Sequence, residues 1–180
     1  MPEHSGEAIT ILKVDQRQDM RDLLVTTTAQ DVDGRLDDRH SAYHDNISPP
    51  LTWTAVDGAV SFAVIVEDPD APQEHPFIHW MIWNIPGTSQ GLPEGLERTD
   101  RLVTPHRAVQ GRNDNGDYGW FGPRPPAGHG VHRYYFQVFA LDQEIEMGPD
   151  TRLADLLHVL KGSTMAKGEM MATYEAPASQ

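Results

Sequence analysis

Three runs of β-branched and aromatic residues set what this chain can fold into: SFAVIVED (61–68), FIHWMIWNI (77–85) and VHRYYFQVFAL (131–141). Residues of these types fit a pleated, packed surface, and each run has the length of a strand. The first is apolar almost without interruption, the pattern of a strand buried on both faces. Two shorter strand segments precede them: LLVTTT (23–28), followed by the turn dipeptide Asp33-Gly34, and SPPLTW (48–53), where a stiff Pro-Pro pair leads in. One helix is clear. In DTRLADLLHVLKG (150–162), Leu153, Leu156, Leu157 and Leu160 recur at i, i+3, i+4 and i+7, with Asp150 as the predicted N-cap and Gly162 as the stop. A short last strand, EMMATYE, follows it. The expected fold is therefore mostly β and antiparallel, with one or two peripheral helices.

A chain of 180 residues is expected to form one domain that buries roughly 70% of its unfolded surface. It has neither an internal repeat nor a low-complexity linker. Residues 1–20 are polar and weakly patterned, so they are expected to be a loose extension of a domain spanning 21–180. Residues 87–130 are rich in Gly, Pro, Asn and Asp, and a stretch that long without pattern is often functional. No apolar run approaches the ~20 residues of a membrane helix. The first residues, MPEHSGEAITILKVD, lack a basic region followed by an apolar core, so a cytoplasmic protein is expected. Without cysteine there is no disulfide framework and no thiol nucleophile. The formal charge of −13 repels nucleic acid and anionic membrane surfaces, which excludes both as expected partners. Any site for an anion must be built locally.

Side chains two apart in a strand share a face, and that rule sorts the polar residues. His132 and Tyr134 fall with Phe136 and Val138, while Arg133 points the other way; Asp68 falls with Phe62, Val64 and Val66; His79 falls between Phe77 and Met81. Each of three core strands thus carries an ionisable group near an end that meets a Pro- or Gly-rich loop. Singly, each has a structural reading. Asp68 and Asp70 in DPDAP suit Asx turns before proline, and a lone histidine on an apolar face is usually a satisfied core residue. Together at strand ends they point to a pocket. The stretch GPRPPAGHG (122–130) would pre-order one wall of it and lower the entropy cost of binding.

Catalysis is the weaker alternative. His132, Tyr134 and Asp68 are capable of acid–base chemistry on a small phosphate ester. There is no Gly-x-Ser-x-Gly elbow and no P-loop, however, and Ser48 and Ser163 lie in turn-like contexts. For metals, His75 and His79 have the spacing of a helical zinc motif, but Pro76 intervenes in a strand-like segment. DVDGRLDD and NDNGD lack the glycine and glutamate offsets of a calcium loop. A divalent ion held by Asp68 with the two histidines remains a second alternative; no resident metal or cofactor is expected.

DPDAP, HWMIWNIPG and GPRPPAGHGVHRYYFQVFALD, in that order and spacing, resemble the phosphatidylethanolamine-binding protein family. NISPPLTW, LPEG, QGRND and LKGSTMAKGEMMATYE narrow the resemblance to its bacterial and archaeal Raf-kinase-inhibitor-like branch, over residues 22–175. The resemblance implies a β-sandwich of a large and a small antiparallel sheet with peripheral helices. It implies a pocket for a small anion, phosphate or a phospholipid head group such as phosphorylethanolamine. Carried over residue by residue, Asp68, His79, His132 and Tyr134 would line that pocket. Pro123, Pro125 and Gly128 would form its rim, and Asp70 with Arg133 a supporting pair. Family relatives that inhibit kinases or proteases imply a regulatory role toward a protein partner, and the family also implies a homodimer through residues 87–105 or the C-terminal segment. Two positions depart from the branch pattern: Arg124, where a small residue or cysteine often stands, and His44, where glycine is commoner. Arg124 would either favour anions or plug the site, and His44 would either alter the pocket edge or sit in a turn. Trp80, Trp83, Trp120 or Phe121 would cover an ammonium or apolar group. Two imidazoles with an ordinary pKa near 6.5 imply tighter anion binding toward pH 6 than at pH 8.

Overall fold

The structure is a computed structural model that describes residues 8–178. Its strands in chain order are β1 (Val25–Thr26), β2 (Leu51–Trp53), β3 (Ser61–Asp68), β4 (Phe77–Pro86), β5 (Gly91–Leu92), β6 (Val109–Gln110), β7 (His132–Leu141) and β8 (Thr164–Tyr174), with one α-helix, α1 (Leu153–Ser163), between the last two. They form a five-stranded sheet in the order β6-β4-β3-β7-β8 and a three-stranded sheet in the order β1-β2-β5. Every pairing is antiparallel.

Strand β3 is buried along its whole length because both of its faces are covered. Phe62, Val64 and Val66 pack with Val25, Leu51, Trp53 and Leu92 of the small sheet, and Phe136 and Val138 of β7 join them. On the other face, Ala63 and Ile65 meet Met81, Trp83 and Phe139, closed over by Leu156 and Leu160 of α1. The run reads as apolar at every position because it serves two cores.

Four expectations are corrected. Residues 8–14 are not loose: a 3-10 turn, Thr10–Lys13, lays Ile9, Ile11 and Val14 into the second core. Its backbone is tied to the sheet, with Thr10 N–H donating to Glu67 Oε1 at 2.9 Å and Ile11 N–H to Gln137 Oε1 at 2.7 Å. Lys167 Nζ donates to the carbonyls of Ile11 and Val14 at 2.8 and 2.6 Å. Residues 15–20 are not loose either, with Arg17 N–H donating to the Met165 carbonyl at 3.0 Å and Gln16 Oε1 accepting Lys167 N–H at 3.0 Å; residues 1–7 of that expected extension lie outside the described residues. Asp150 does not cap α1, whose N-cap position is Arg152 with no side-chain bond. Asp150 instead accepts from Tyr118 OH at 2.7 Å and Arg112 Nε at 3.0 Å. Nor does Gly162 end the helix, which runs through it to Ser163 and passes directly into β8, a strand of 11 residues rather than a short one. Within 87–130 the structure places β5, β6 and Asx turns such as that of Asn113, whose Oδ1 accepts from Asn115 N–H at 2.9 Å. Among the described residues, no helix is long and apolar enough to cross a membrane.

Candidate functional site

The ends of β3, β4 and β7 converge with residues 121–126 around a cavity of about 250 Å³. Asp68 closes β3 and is 2% exposed. Its Oδ1 accepts the N–H of Asp70 at 2.7 Å, and its Oδ2 meets His132 Nδ1 at 2.7 Å. A buried carboxylate is thereby satisfied on both oxygens. Asp70 turns away and takes Arg133 in a two-pronged pair, Nη2 to Oδ1 at 2.7 Å and Nε to Oδ2 at 2.9 Å, with the Arg133 N–H on Oδ2 as well. That hydrogen-bonded carboxylate holds the Arg133 guanidinium above its usual value. The pair clamps the loop after β3 to the start of β7, and so fixes Asp68 against His132.

His79 owes its direction to a β-bulge. Val66 pairs with Trp80 and Glu67 with Ile78, so His79 is the extra residue opposite no partner. Trp80 and Ile82 then face the inter-sheet core, while Met81 and Trp83 face the other one. The expected sharing of a face by His79 and Met81 is therefore wrong. Simple alternation fails at the bulge, which re-aims His79 into the cavity beside Tyr134, at 5.1 Å between ring centroids. Phe121 lies parallel to the imidazole at 6.0 Å and Phe77 tilts against it at 4.6 Å. His79 Nδ1 donates to the Phe121 carbonyl at 2.6 Å, and Nε2 has no partner among the described residues. Burial pushes the pKa of this ring below the usual imidazole value, against the pull of the Asp68 carboxylate. Tyr134 is 1% exposed and its hydroxyl has no hydrogen-bond partner among the described residues. Burial first, and Asp68 next, push the phenol well above its usual pKa, so it stays a neutral donor.

Asp68, His79, His132, Tyr134 and Pro125 are thus brought to one cavity, and Phe77, Phe121, Arg124 and Pro126 complete much of its wall. Pro123 and Gly128 are not part of it. Pro123 is buried against the segment 40–42, its carbonyl accepting Ala42 N–H at 2.9 Å, and Gly128 lies exposed in a turn. Arg124 lines the mouth, its guanidinium 5.4 Å from the Tyr43 ring centroid, exposed rather than plugging the floor. His44 stands away from the cavity, 3.8 Å from Asp38. Of the four aromatics expected as walls only Phe121 is one. Trp80, Trp83 and Trp120 are core residues, Trp80 bonding Gln110 and Trp120 the His40 carbonyl. Ser48 and Ser163 hydroxyls accept from Leu96 N–H and Gln143 Nε2 and lie outside the cavity. The sequence reading misses Phe77, Pro126 and His129; the last places its ring against His132. The signal for His129 was its spacing of three from His132 in a Gly-flanked turn. A larger cleft of about 670 Å³ opens beside α1, but Glu67 and Asp114 in it already accept backbone N–H groups.

The chain is similar in sequence and in fold to known proteins. A family model described as phosphatidylethanolamine-binding protein matches residues 26–175. A UPF0098 protein of the archaeon Methanothermobacter thermautotrophicus is 42% identical over 142 residues, covering 78% of this chain and 91% of that one. The UPF0098 protein YbcL of Escherichia coli is 42% identical over 132 residues, 72% of each chain. The crystal structure of E. coli YbcL, described as a new member of the mammalian family, superposes with a TM-score of 0.79 at 36% identity, over 87% of this chain and all 100% of that one. A homolog from Chlamydia trachomatis gives 0.76 at 32% identity, over 87% and 99%.

Proposed function

The chain belongs to the phosphatidylethanolamine-binding protein family, and from that premise we propose that its cavity binds a phosphate-type anion, free or as the head group of a phospholipid. One observation carries the proposal. The cavity holds a buried hydroxyl, that of Tyr134, with a proton to give and no acceptor to take it among the described residues. A buried donor left unpaired costs roughly 1–3 kcal/mol, and a ligand oxygen would supply the missing partner.

The chemistry follows from the ring nitrogens. His79 Nδ1–H is committed to Phe121, so the neutral ring turns a lone pair, not a donor, toward the cavity. An anion oxygen cannot approach a lone pair; it needs a proton there. Binding therefore brings a proton from solvent onto Nε2. The Asp68 carboxylate in the same cavity makes that proton more necessary, and Arg124 at the mouth adds a fixed positive charge. Phe77 and Phe121 offer ring faces to an ammonium beside the phosphate.

The pH dependence has a definite sign. Free His79 has its pKa below the usual value, and a bound anion raises it. Between the two values binding takes up a proton, so affinity rises as pH falls, by at most about tenfold per unit for one proton. Titrating the histidine ring signals by NMR with inorganic phosphate and with phosphorylethanolamine at pH 6 and pH 8 tests this. The expected result is tighter binding at pH 6, with the His79 signal, assigned through His79→Ala, titrating at higher pH when ligand is bound. Tighter binding of phosphorylethanolamine than of phosphate would identify the head group as the preferred form. Equal affinity at the two pH values, or no ring shift at millimolar ligand, would overturn the proposal.

A further inference from the structure

We infer that His129 sets the affinity of this site: it is a cap seated on His132 that an incoming anion must displace. The inference rests on the anion reading of the cavity and adds a residue to it. His132 is 1% exposed and both of its nitrogens are taken, Nδ1 by Asp68 and Nε2 by Nδ1 of His129. The two rings lie 4.7 Å apart between centroids. Two ring nitrogens in contact need one hydrogen between them, since two lone pairs repel. An ionised Asp68 only accepts, so its bond places a hydrogen on His132 Nδ1. When the rings are neutral, His132 Nε2 is then a lone pair and the shared hydrogen belongs to Nδ1 of His129. In that state His132 has no N–H to offer an anion.

His129 is not itself part of the cavity wall; His132 is. The groups around the pair are Asp68 from β3, His79 from β4, Tyr134 from β7 and Arg124 from the rim loop. For an anion to be bonded by His132 as well as by Tyr134 and His79, Nε2 must gain a proton and the His129 ring must leave it. The turn allows that. His129 is half-buried and stands between Gly128 and Gly130, whose φ values of +79° and +87° belong to the left-handed region, and the space around both glycines is open. One backbone bond, His129 N–H to the Pro126 carbonyl at 3.1 Å, closes the turn. Exchanging that one ring contact for an anion is an equilibrium, and the capped fraction lowers the apparent affinity in proportion.

The test has two readouts on the full chain. At pH 8 without ligand, ring ¹⁵N shifts are expected to show His129 carrying its hydrogen on Nδ1, the tautomer that the contact requires. Inorganic phosphate is expected to return it to the Nε2–H form, and His129→Ala is expected to bind phosphate about fivefold more tightly than the wild type. An Nε2–H tautomer at His129 in the free protein would overturn the cap whether or not phosphate binds. Weaker binding by His129→Ala would make His129 a direct ligand and also overturn it; unchanged affinity would remove it from the site. If the Nδ1–H tautomer is present but neither protein binds phosphate, the anion reading fails, and the affinity role with it.

Discussion

Gly122→Ala is expected to lower stability by about 3 kcal/mol, because a Cβ at this position has no place to go. It would lie 2.0 Å from the His40 carbonyl oxygen and 2.9 Å from Asn46 Oδ1. Neither neighbour can move alone. The His40 carbonyl accepts Trp120 Nε1 at 3.1 Å, Gly122 N–H donates to Asn46 Oδ1 at 2.7 Å, and the next residue, Pro123, accepts from Ala42 N–H. The requirement is for close backbone approach, and it is what presses the rim loop against the segment 40–46. For a chain of this size the loss corresponds to a fall in Tm of about 6–12 °C. Gly148→Ala serves as the control: nothing lies within 4 Å of its added Cβ, and the change should stay within about 0.5 kcal/mol. Equal Tm values for the two variants would show that the loop yields, and that the cavity wall is not rigid.

Asp68→Ala is expected to cost roughly 2–4 kcal/mol, since it strands two buried donors, the Asp70 N–H and His132 Nδ1–H. Asp68→Asn keeps an oxygen for one of them and nearly the same volume, so its loss should be less than half as large. The comparison separates hydrogen bonding from charge. Denaturant unfolding of the pair checks it. Equal losses would mean that the carboxylate's charge, acting on His132, matters more than the bonds it accepts.

Much of this architecture is legible in the sequence where a period exists. The faces of β3 and β7 follow from strict alternation, so Asp68, His132 and Tyr134 are found together. Alternation fails at His79, where one extra residue in β4 flips the count, and no composition signal marks a bulge with an ordinary histidine in it. Residues 8–14 hide a buried pattern, Ile9, Ile11 and Val14, among polar flanks, and their partners Glu67 and Gln137 are remote in sequence. The rim has no period at all. Which prolines face the cavity is decided by Ala42 bonding Pro123 and Tyr43 OH bonding the Pro125 carbonyl at 2.6 Å, contacts about 80 residues away in the chain that only the folded loop brings about.

Thermal unfolding of Tyr134→Phe with and without saturating inorganic phosphate tests most directly whether the unpaired Tyr134 hydroxyl is kept for a ligand. Without phosphate the variant is expected to be more stable than the wild type by about 1 kcal/mol, a rise in Tm of about 2–4 °C, because the buried donor is gone. With phosphate the order should narrow or reverse, since a ligand that binds the native state more weakly stabilises it less. A variant that is less stable without phosphate, or that keeps the wild type's full phosphate-dependent rise in Tm, would contradict the claim that Tyr134 waits for an anion.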